Sequence, residues 1–313
     1  MNWAVAAAAL LLALAVDAWL GEPRARWHPV VWMGNYLGWI GQRIAPAQAA
    51  RDPDFKAFML GVLTWSAGAA TVCVAAWWLQ HALLQLPALL TALLLGLALK
   101  PLLAWAMLQR EVLAVEAALG ESLDAGRQRL SWLVSRDVAA LTEGQVRESA
   151  IESLAENLND SVVAPIFWFV LFGLPGAALY RFANTADAMW GYRGERNGRV
   201  WEWAGKWAAW ADDVLSWLPA RITAVLLLAV AGSGRGWALL REAHLTPSPN
   251  SGWPMAAMAL VLDVRLGKPG VYTLNSSGRV PVAADTQRAV RYARNTLLAL
   301  ILAALVALVL IAR

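Results

Sequence analysis

Long apolar segments limit what this chain can fold into more than any other feature of its sequence. A helix that crosses a bilayer needs about 20 consecutive, mostly apolar residues. Four stretches approach or exceed that length, at residues 3–20, 57–79, 83–108 and 295–312. Only 15% of the residues are charged, against roughly 25% in soluble domains. We therefore expect an integral membrane protein rather than a soluble protein with a large core.

Two further apolar stretches, 162–180 and 214–232, are ambiguous. Prolines and glycines interrupt the first, and Pro219 with Arg221 interrupts the second. Such residues would break a straight spanning helix. Irregular backbone is tolerated at membrane depth where it is buried in protein or lines a cavity. Each stretch therefore either spans the bilayer or is re-entrant.

The distribution of basic residues favours the re-entrant alternative. Lys and Arg number five in 21–56, five in 109–161, five in 181–213 and eight in 233–294. If both ambiguous stretches crossed the bilayer, 181–213 would face the side opposite 109–161, against the positive-inside bias. We predict a single all-α membrane domain over 1–313, with about four spanning helices, two re-entrant or buried hydrophobic segments, cytoplasmic polar helical blocks and both termini outside.

Several common site types are missing from the sequence. Cys73 is the only cysteine, and the three histidines lie far apart, so neither a disulfide nor a zinc site is expected. No GxxxxGK[ST] motif is present, which excludes an ordinary P-loop. No dense basic run lies beside stacking aromatic residues, so we expect no nucleic-acid partner.

The block from 135 to 165 carries the most informative pattern. Thr142 and Gln145 have the spacing of a capping box, which predicts a helix that begins there. On that helix, acidic residues recur every four positions and would share one face: Glu148, Glu152, Glu156 and Asp160. Like charges at this spacing repel, so water, arginine partners or a cation must screen them.

Two interpretations of this acidic face stay open. It is either a solvated surface or a site for Mg²⁺, which prefers oxygen ligands and bridges to phosphate. The helix leads directly into the apolar stretch 162–180, and Asn157 and Asn159 add amide oxygens at the same end. This position favours the metal site.

Other polar clusters follow along the chain, each with a structural alternative. Asn184 and Asp187 are three positions apart and share a helix face. They either form part of a binding site or serve only as a helix N-cap and a turn. Arg221 lies at the edge of an apolar segment, where a charged side chain needs a partner. That partner is either a phosphate group or the carboxylate of Asp212 or Asp213. The Pro-rich loop that contains Asn250 is rigid enough to hold polar groups at a site.

These motifs together resemble the CobD/CbiB family over about 17–272. The residues that carry the resemblance are Asp17, Gly21-Glu22-Pro23, His28-Pro29-Val30, Ser135-Arg136-Asp137, Glu152 to Asn157 with Asp160, Ala164-Pro165, Asn184-Thr185 with Asp187, Met189 with Gly191-Tyr192-Arg193, Asp212-Asp213, Pro219-Ala220-Arg221 and Ser248-Pro249-Asn250. The region 253–275 departs from the family pattern, since a more glycine-rich run is expected there.

The resemblance implies an enzyme of cobalamin biosynthesis. The family consists of membrane-bound adenosylcobinamide-phosphate synthases, ligases that join adenosylcobyric acid to aminopropanol phosphate through an amide bond. It also implies ATP as co-substrate, Mg²⁺ as cofactor, and a multi-pass location in the bacterial inner membrane with the active site facing the cytoplasm. Corrinoid and amino-alcohol phosphate substrates, the lipid bilayer and other corrinoid-pathway membrane enzymes are the expected partners.

We assign roles to the polar residues from their type and spacing, in catalytic blocks at about 109–161, 181–221 and 241–275. The candidate catalytic residues are Glu152, Glu156, Asp160, Asp187 and His28, the last also interpretable as structural. The candidate substrate- or phosphate-binding residues are Arg136, Asn157, Asn184, Tyr192, Arg193, Arg221 and Asn250. The candidate metal ligands are Glu152, Glu156, Asp160, Asp212 and Asp213.

Two other functions are compatible with the sequence. A non-catalytic membrane sensor on the same fold would account for the atypical region 253–275, although it would not need five intact polar clusters. A corrinoid transporter would use broken helices and a midplane site. Against the transporter, the charged residues lie in long polar blocks and the two halves show no repeat.

Overall fold

The structure, a computed structural model, describes residues 2–48 and 53–311. These residues are almost entirely helical, which confirms the predicted all-α class. The helices are α1 (Trp3–Leu20), α2 (Pro29–Ile44), α3 (Phe55–Leu83), α4 (Ala88–Leu99), α5 (Trp105–Glu121), α6 (Leu123–Leu130), α7 (Glu143–Leu158), α8 (Ala164–Trp190), α9 (Lys206–Val230), α10 (Gly236–Glu242), α11 (Gly252–Leu262) and α12 (Ala283–Ile311).

Short elements connect these helices. Three 3-10 helices cover Ala25–Trp27, Lys100–Leu102 and Ala243–Leu245, and a π-helical turn covers Asn159–Val163 between α7 and α8. Two antiparallel hairpins pair β1 (Glu195–Arg196) with β2 (Arg199–Val200), and β3 (Leu266–Lys268) with β4 (Tyr272–Leu274).

Contacts divide the chain into two compact units. Unit 1 comprises the described parts of Met1–Leu103, Ala164–Ser216 and Ala307–Arg313, and unit 2 comprises Ala104–Val163 and Trp217–Val306. The chain changes unit next to or inside helices and not at a flexible linker. The sequence prediction of one membrane domain without linkers stays a prediction.

Six helical segments of the described chain are long and apolar enough to cross a membrane. They are Trp3–Leu20, Phe55–Leu83, Ala88–Glu121, Glu143–Trp190, Lys206–Val230 and Ala283–Leu310. The predicted spans 3–20 and 57–79 fall within these segments, and 295–312 falls on the last one, although residue 312 lies outside the described residues. The predicted span 83–108 begins too early, because residue 83 ends α3 and 84–87 form the turn before Ala88–Glu121. Both ambiguous stretches are also helical, so length and composition allow up to six spans, and the choice between four and six stays a prediction.

In unit 1, small residues bring α1 and α4 close together. Ala6, Ala9 and Ala13 are fully buried on α1. A Cβ at Gly96 of α4 would lie 2.8 Å from the carbonyl oxygen of Ala9, so only glycine permits this approach. Close backbone approach of this kind is typical of helix packing in membranes, where van der Waals contacts drive association.

A break in α8 shapes the other half of unit 1. Gly173 has φ 68° and ψ −154°, which interrupts the helix, and Pro175 follows within the next turn. The break frees backbone donors, and the Gln80 side chain of α3 accepts a hydrogen bond of 2.8 Å from the Leu174 N–H. Gln80 therefore caps the second half of α8, and this explains why the predicted helix breaker does not end the segment.

Unit 2 is organised around α7, whose start was predicted correctly. The Thr142 hydroxyl accepts from the Gln145 N–H at 3.4 Å, and the Gln145 side chain accepts from the Thr142 N–H at 2.8 Å, which confirms the capping box. Beside α7 an apolar cluster joins it to α5 and α6, formed by Val115, Leu119, Leu130, Leu141, Val146 and Ala150.

The role of Gly173 leads to a first prediction. Replacing Gly173 with Ala should lower the free energy of unfolding by at least about 1 kcal/mol, because positive φ disfavours a side chain and the new Cβ would clash with Gln80. Gly120→Ala is the matched control, since Gly120 is helical with open space around it and alanine favours helix. Thermal unfolding in detergent measures both. Equal losses in the two variants would contradict the capped break.

Candidate active site

Arginine partners screen the acidic face of α7 in unit 2. Arg265 lies 3.1 Å from the Glu148 carboxylate, and Arg136 lies 3.2 Å from the Glu152 carboxylate. Glu152 is only 1% exposed. A buried carboxylate of this kind is tolerated because a cation compensates it. The arginine alternative for screening is therefore confirmed at these two positions.

The Arg136–Glu152 pair keeps unused hydrogen-bonding capacity. The Oε1 atom of Glu152 and the Nη1 atom of Arg136 are buried, and neither has a hydrogen-bond partner within the described ranges. Buried polar atoms without partners are uncommon and carry a desolvation penalty. The Arg136 nitrogen can therefore donate a further hydrogen bond to a polar ligand.

Tyr272 adds a neutral donor beside this pair. Its hydroxyl faces the Glu152 carboxylate and lies 3.9 Å from the Met255 sulfur. Burial, with the negative charges of Glu152 and Glu156, raises the pKa of Tyr272 well above its usual range. The phenol therefore stays protonated and donates rather than acting as a base.

Tyr272 was missed by the sequence analysis. It lies in the atypical region 253–275, for which any functional role was in doubt. No spacing rule links a residue on a short β-strand to a helix more than a hundred positions earlier. The only available signal was an aromatic residue with a polar tip next to a glycine turn.

A π-helical turn interrupts the α-helix at the far end of the acidic face. Glu156 is half-buried on α7, and Asp160 lies in the π-helical turn Asn159–Val163. The predicted continuation of the acidic face from Glu156 to Asp160 stays a prediction. Asn159 fixes this turn, since its amide donates to Asp160 at 2.8 Å and accepts from the Thr223 hydroxyl at 3.1 Å.

The Asn157 side chain makes a hydrogen bond within its own helix. Its side-chain NH₂ group donates to the Ser153 carbonyl oxygen at 2.9 Å, one turn back on the same helix. This contact leaves the amide oxygen of Asn157 as the atom available to a ligand, so its predicted role narrows to that of an acceptor.

Arg221, also in unit 2, is held in a fixed orientation. Its guanidinium lies between the indole rings of Trp217 and Trp253, at 4.3 and 4.6 Å from their centroids. It also donates to the Asn250 side-chain oxygen at 2.9 Å. The Ser248 hydroxyl in turn accepts from the Asn250 N–H at 3.2 Å. The Pro-rich loop therefore positions Arg221, as its rigidity led us to expect.

A second set of predicted residues meets in unit 1. The Asn184 side-chain nitrogen of α8 lies 3.5 Å from Oδ1 of Asp212 on α9. The Asp187 carboxylate folds over the backbone of Gly191, where any Cβ would clash with it. Arg193 interacts electrostatically with Asp213. The structure thus brings together the two clusters that the sequence placed separately on α8 and α9.

His28 belongs to a different group of charges in unit 1. Its Nδ1 accepts from the Val30 N–H at 3.3 Å, and Nε2 lies 3.1 Å from Glu22. Nε2 therefore carries the proton, an assignment inferred from these partners. Because both ring nitrogens are engaged in capping α2 and binding Glu22, the geometry favours the structural alternative for His28.

Lys100 completes this group. Its Nζ lies 2.8 Å from Glu22 and 3.3 Å from Asp17, and Lys100 is only 3% exposed. Burial would raise the pKa of Glu22, but the contacts from His28 and Lys100 outweigh it and lower that pKa. Ionisable groups between apolar helices need such partners, so this group joins the ends of α1, α2 and α4.

The described residues contain no group of three or more His, Cys, Asp or Glu side chains placed to hold a metal ion. The predicted ligands divide between the units. Glu152, Glu156 and Asp160 lie in unit 2, while Asp212 and Asp213 lie in unit 1. The predicted Mg²⁺ site stays a prediction.

Comparison with known proteins decides the family. Residues 10–302 match the family described as CobD/Cbib protein. The chain is 41% identical over 271 residues to the probable cobalamin biosynthesis protein CobD of Methanothermobacter thermautotrophicus, with 85% of each chain covered. It is 39% identical over 292 residues to the cobalamin biosynthesis protein CobD of Chromobacterium violaceum, with 90% of each covered. No solved structure matches it.

The chain belongs to the CobD/CbiB family. The resemblance predicted from the motifs is therefore confirmed, and the chain is a multi-pass membrane protein of cobalamin biosynthesis. The match includes the region 253–275, so the departure from the expected glycine-rich pattern does not set this chain outside the family.

The buried pair in unit 2 generates a second prediction. Arg136→Ala leaves Glu152 as an uncompensated buried charge and should lower the free energy of unfolding by about 3–5 kcal/mol. The double variant Arg136→Ala/Glu152→Gln should recover much of that loss, because no buried charge remains. Arg110→Ala, at an exposed position on α5, is the control. A double variant no more stable than Arg136→Ala would contradict the ion pair.

Proposed function

We propose that this chain is an ATP-dependent membrane ligase that makes adenosylcobinamide phosphate. It joins a propionate carboxylate of adenosylcobyric acid to the amine of aminopropanol phosphate. Family membership supports the pathway. The observation that carries the ligase proposal is the buried Arg136–Glu152 pair beside Tyr272, with an arginine nitrogen that lacks a partner.

The chemistry needs an activated carboxylate. We propose that the γ-phosphate of ATP is transferred to a carboxylate oxygen, which gives an acyl phosphate and ADP. The amine then attacks the carbonyl carbon, and inorganic phosphate leaves with that oxygen. Negative charge develops in both steps, and preorganised donors in a buried site stabilise such charge most effectively.

The residues of unit 2 match these needs. Arg136 can donate to the carboxylate or to the acyl phosphate, and protonated Tyr272 can donate to the oxygen of the carbonyl under attack. Arg221, fixed between two indoles, is a second cation suited to a phosphate group. Glu156, half-buried on α7 and close enough to Tyr272 for its charge to act on the phenol, is the residue to which we assign orientation of the amine and removal of its proton.

Mg²⁺ fits the end of α7 as a companion of a substrate phosphate. It commonly takes one or two carboxylates and completes its shell with waters and substrate phosphates. Glu156 and Asp160, with the amide oxygen of Asn157, offer such donors, and Asp212 and Asp213 remain candidates for a second ion or for orienting the amine. When bound, Mg²⁺ would neutralise phosphate charge during transfer.

One feature favours the transporter alternative, namely the broken helix α8 within an apolar segment. Broken helices expose backbone groups that bind substrates in transporters. In this chain the Gln80 side chain satisfies the Leu174 N–H at the break. That contact argues for a structural kink, so the ligase remains the better-supported function.

A ligation assay in membrane vesicles tests the proposal. With adenosylcobyric acid, aminopropanol phosphate and MgATP, the wild type should form a product heavier by one aminopropanol phosphate less water. Glu156→Gln should lower turnover at least about 100-fold, the usual size of a general-base contribution, at unchanged protein level. Glu121→Gln, at an exposed site on α5, should match the wild type.

The same assay tests the proposed orientation in the bacterial inner membrane. ATP supplied outside should support ligation in inverted vesicles and not in right-side-out vesicles, because the site faces the cytoplasm.

Full activity of Glu156→Gln would overturn the assigned role. Uptake of labelled corrinoid without any ligation would favour transport instead.

A further inference from the structure

A small hairpin in unit 1 holds two arginines in direct opposition. β1 and β2 are joined by Asn197 and Gly198, whose φ angles are 53° and 70°. Positive φ at both central residues is characteristic of a tight type I′ turn. The register pairs Arg196 with Arg199 across the strands. Like charges directly opposite one another destabilise a hairpin, so this pairing needs a compensating feature.

No carboxylate within the described ranges forms a salt bridge with either arginine. The Arg196 guanidinium instead lies over the Tyr192 ring, 3.8 Å from its centroid. Arg199 donates to the Ala45 carbonyl oxygen at 3.1 Å. Both cations are thus fixed by neutral groups and keep their positive charge available to an anion.

The hairpin is anchored to its surroundings before any ligand binds. The Val200 N–H donates to the Pro46 carbonyl oxygen at 2.8 Å. The Trp201 indole N–H donates to the Arg196 carbonyl oxygen at 3.3 Å. A Cβ at Gly41 of α2 would lie 2.7 Å from the Trp190 and Trp201 indoles, so glycine lets the hairpin seat against α2. Such preorganisation lowers the entropic cost of binding.

These residues line a pocket of about 380 Å³. Its walls combine the rings of Tyr192 and Trp201, the guanidinium groups of Arg196 and Arg199, and the amides of Gln42 and Asn197. No Asp or Glu is among the lining residues of this pocket as far as the chain is described. Flat rings beside paired cations suit a ligand that has both an aromatic plane and negative charge.

We propose that this pocket, the Arg196–Arg199 pocket, binds the nucleoside triphosphate. The assignment rests on the proposed function in that ATP is the co-substrate named there. The phosphates would lie between the two guanidinium groups and relieve their repulsion, and the base would stack on the aromatic wall. An amino-alcohol phosphate has no ring to use that wall.

Binding is tested by equilibrium dialysis of the full-length protein in detergent with radiolabelled MgATP and no corrinoid. Arg196→Gln and Arg199→Gln should each weaken binding at least about tenfold, since a charge-assisted contact is lost. Arg26→Gln is the control, because Arg26 is an exposed arginine that also lies over an indole ring. Inorganic phosphate and adenosine should each compete far more weakly than ATP.

The outcomes separate this pocket from the ligase itself. Wild-type affinity for MgATP in both hairpin variants, with ligation intact, would overturn the pocket and leave the ligase standing. Retained ATP binding that depends on both arginines, with no ligation by the wild type, would support the pocket and count against the ligase. A hairpin variant that unfolds is replaced by Gln42→Ala, which removes a pocket amide at an exposed position and should also weaken ATP binding.

Discussion

The structure depends on compensating charge inside a largely apolar chain. A carboxylate or ammonium group removed from water is costly unless an opposite charge or several hydrogen bonds replace the lost solvation. Glu148 and Glu152 meet this requirement through Arg265 and Arg136, and Lys100 meets it through Asp17 and Glu22. In each case the partners come from separate segments, so the ion pairs also fix how those segments pack.

The Arg136–Glu152 pair is also where we propose that the chemistry takes place. One buried nitrogen of Arg136 has no hydrogen-bond partner in the described part of the chain. Unused donors in a dry environment are what an acyl-transfer or phosphoryl-transfer step requires. Tyr272 strengthens this argument, because a phenol held protonated by its surroundings donates without adding charge.

Much of the architecture could be predicted from the sequence because its causes are local. The apolar segments predicted a helical membrane protein, and Thr142 and Gln145 predicted the start of α7. The repulsion along the acidic face correctly required partners, although their identity could not be derived, since Arg265 comes from more than a hundred positions away. The π-turn that contains Asp160 could not be predicted, because the contact between Asn159 and Thr223 beside it is a tertiary contact without a local signal.

Residues outside the recognised motifs were the hardest to predict. No motif points to Lys100 in the sequence, and only the packing of α1 against α4 shows which carboxylates it contacts. No sequence motif singles out Arg196 and Arg199, because their opposition follows from the hairpin register. His28 was predicted as a possible base, but two local contacts engage both of its nitrogens.

The central claim is that this chain activates a corrinoid carboxylate and converts it to an amide. The most direct test follows oxygen from that carboxylate. Adenosylcobyric acid labelled with ¹⁸O in the reacting propionate is supplied with aminopropanol phosphate and MgATP, and the phosphate released is analysed by mass. The account predicts one labelled oxygen in inorganic phosphate for each amide formed. Label in AMP would contradict the acyl phosphate, and label retained in unreacted corrinoid while ATP is consumed would contradict ligation itself.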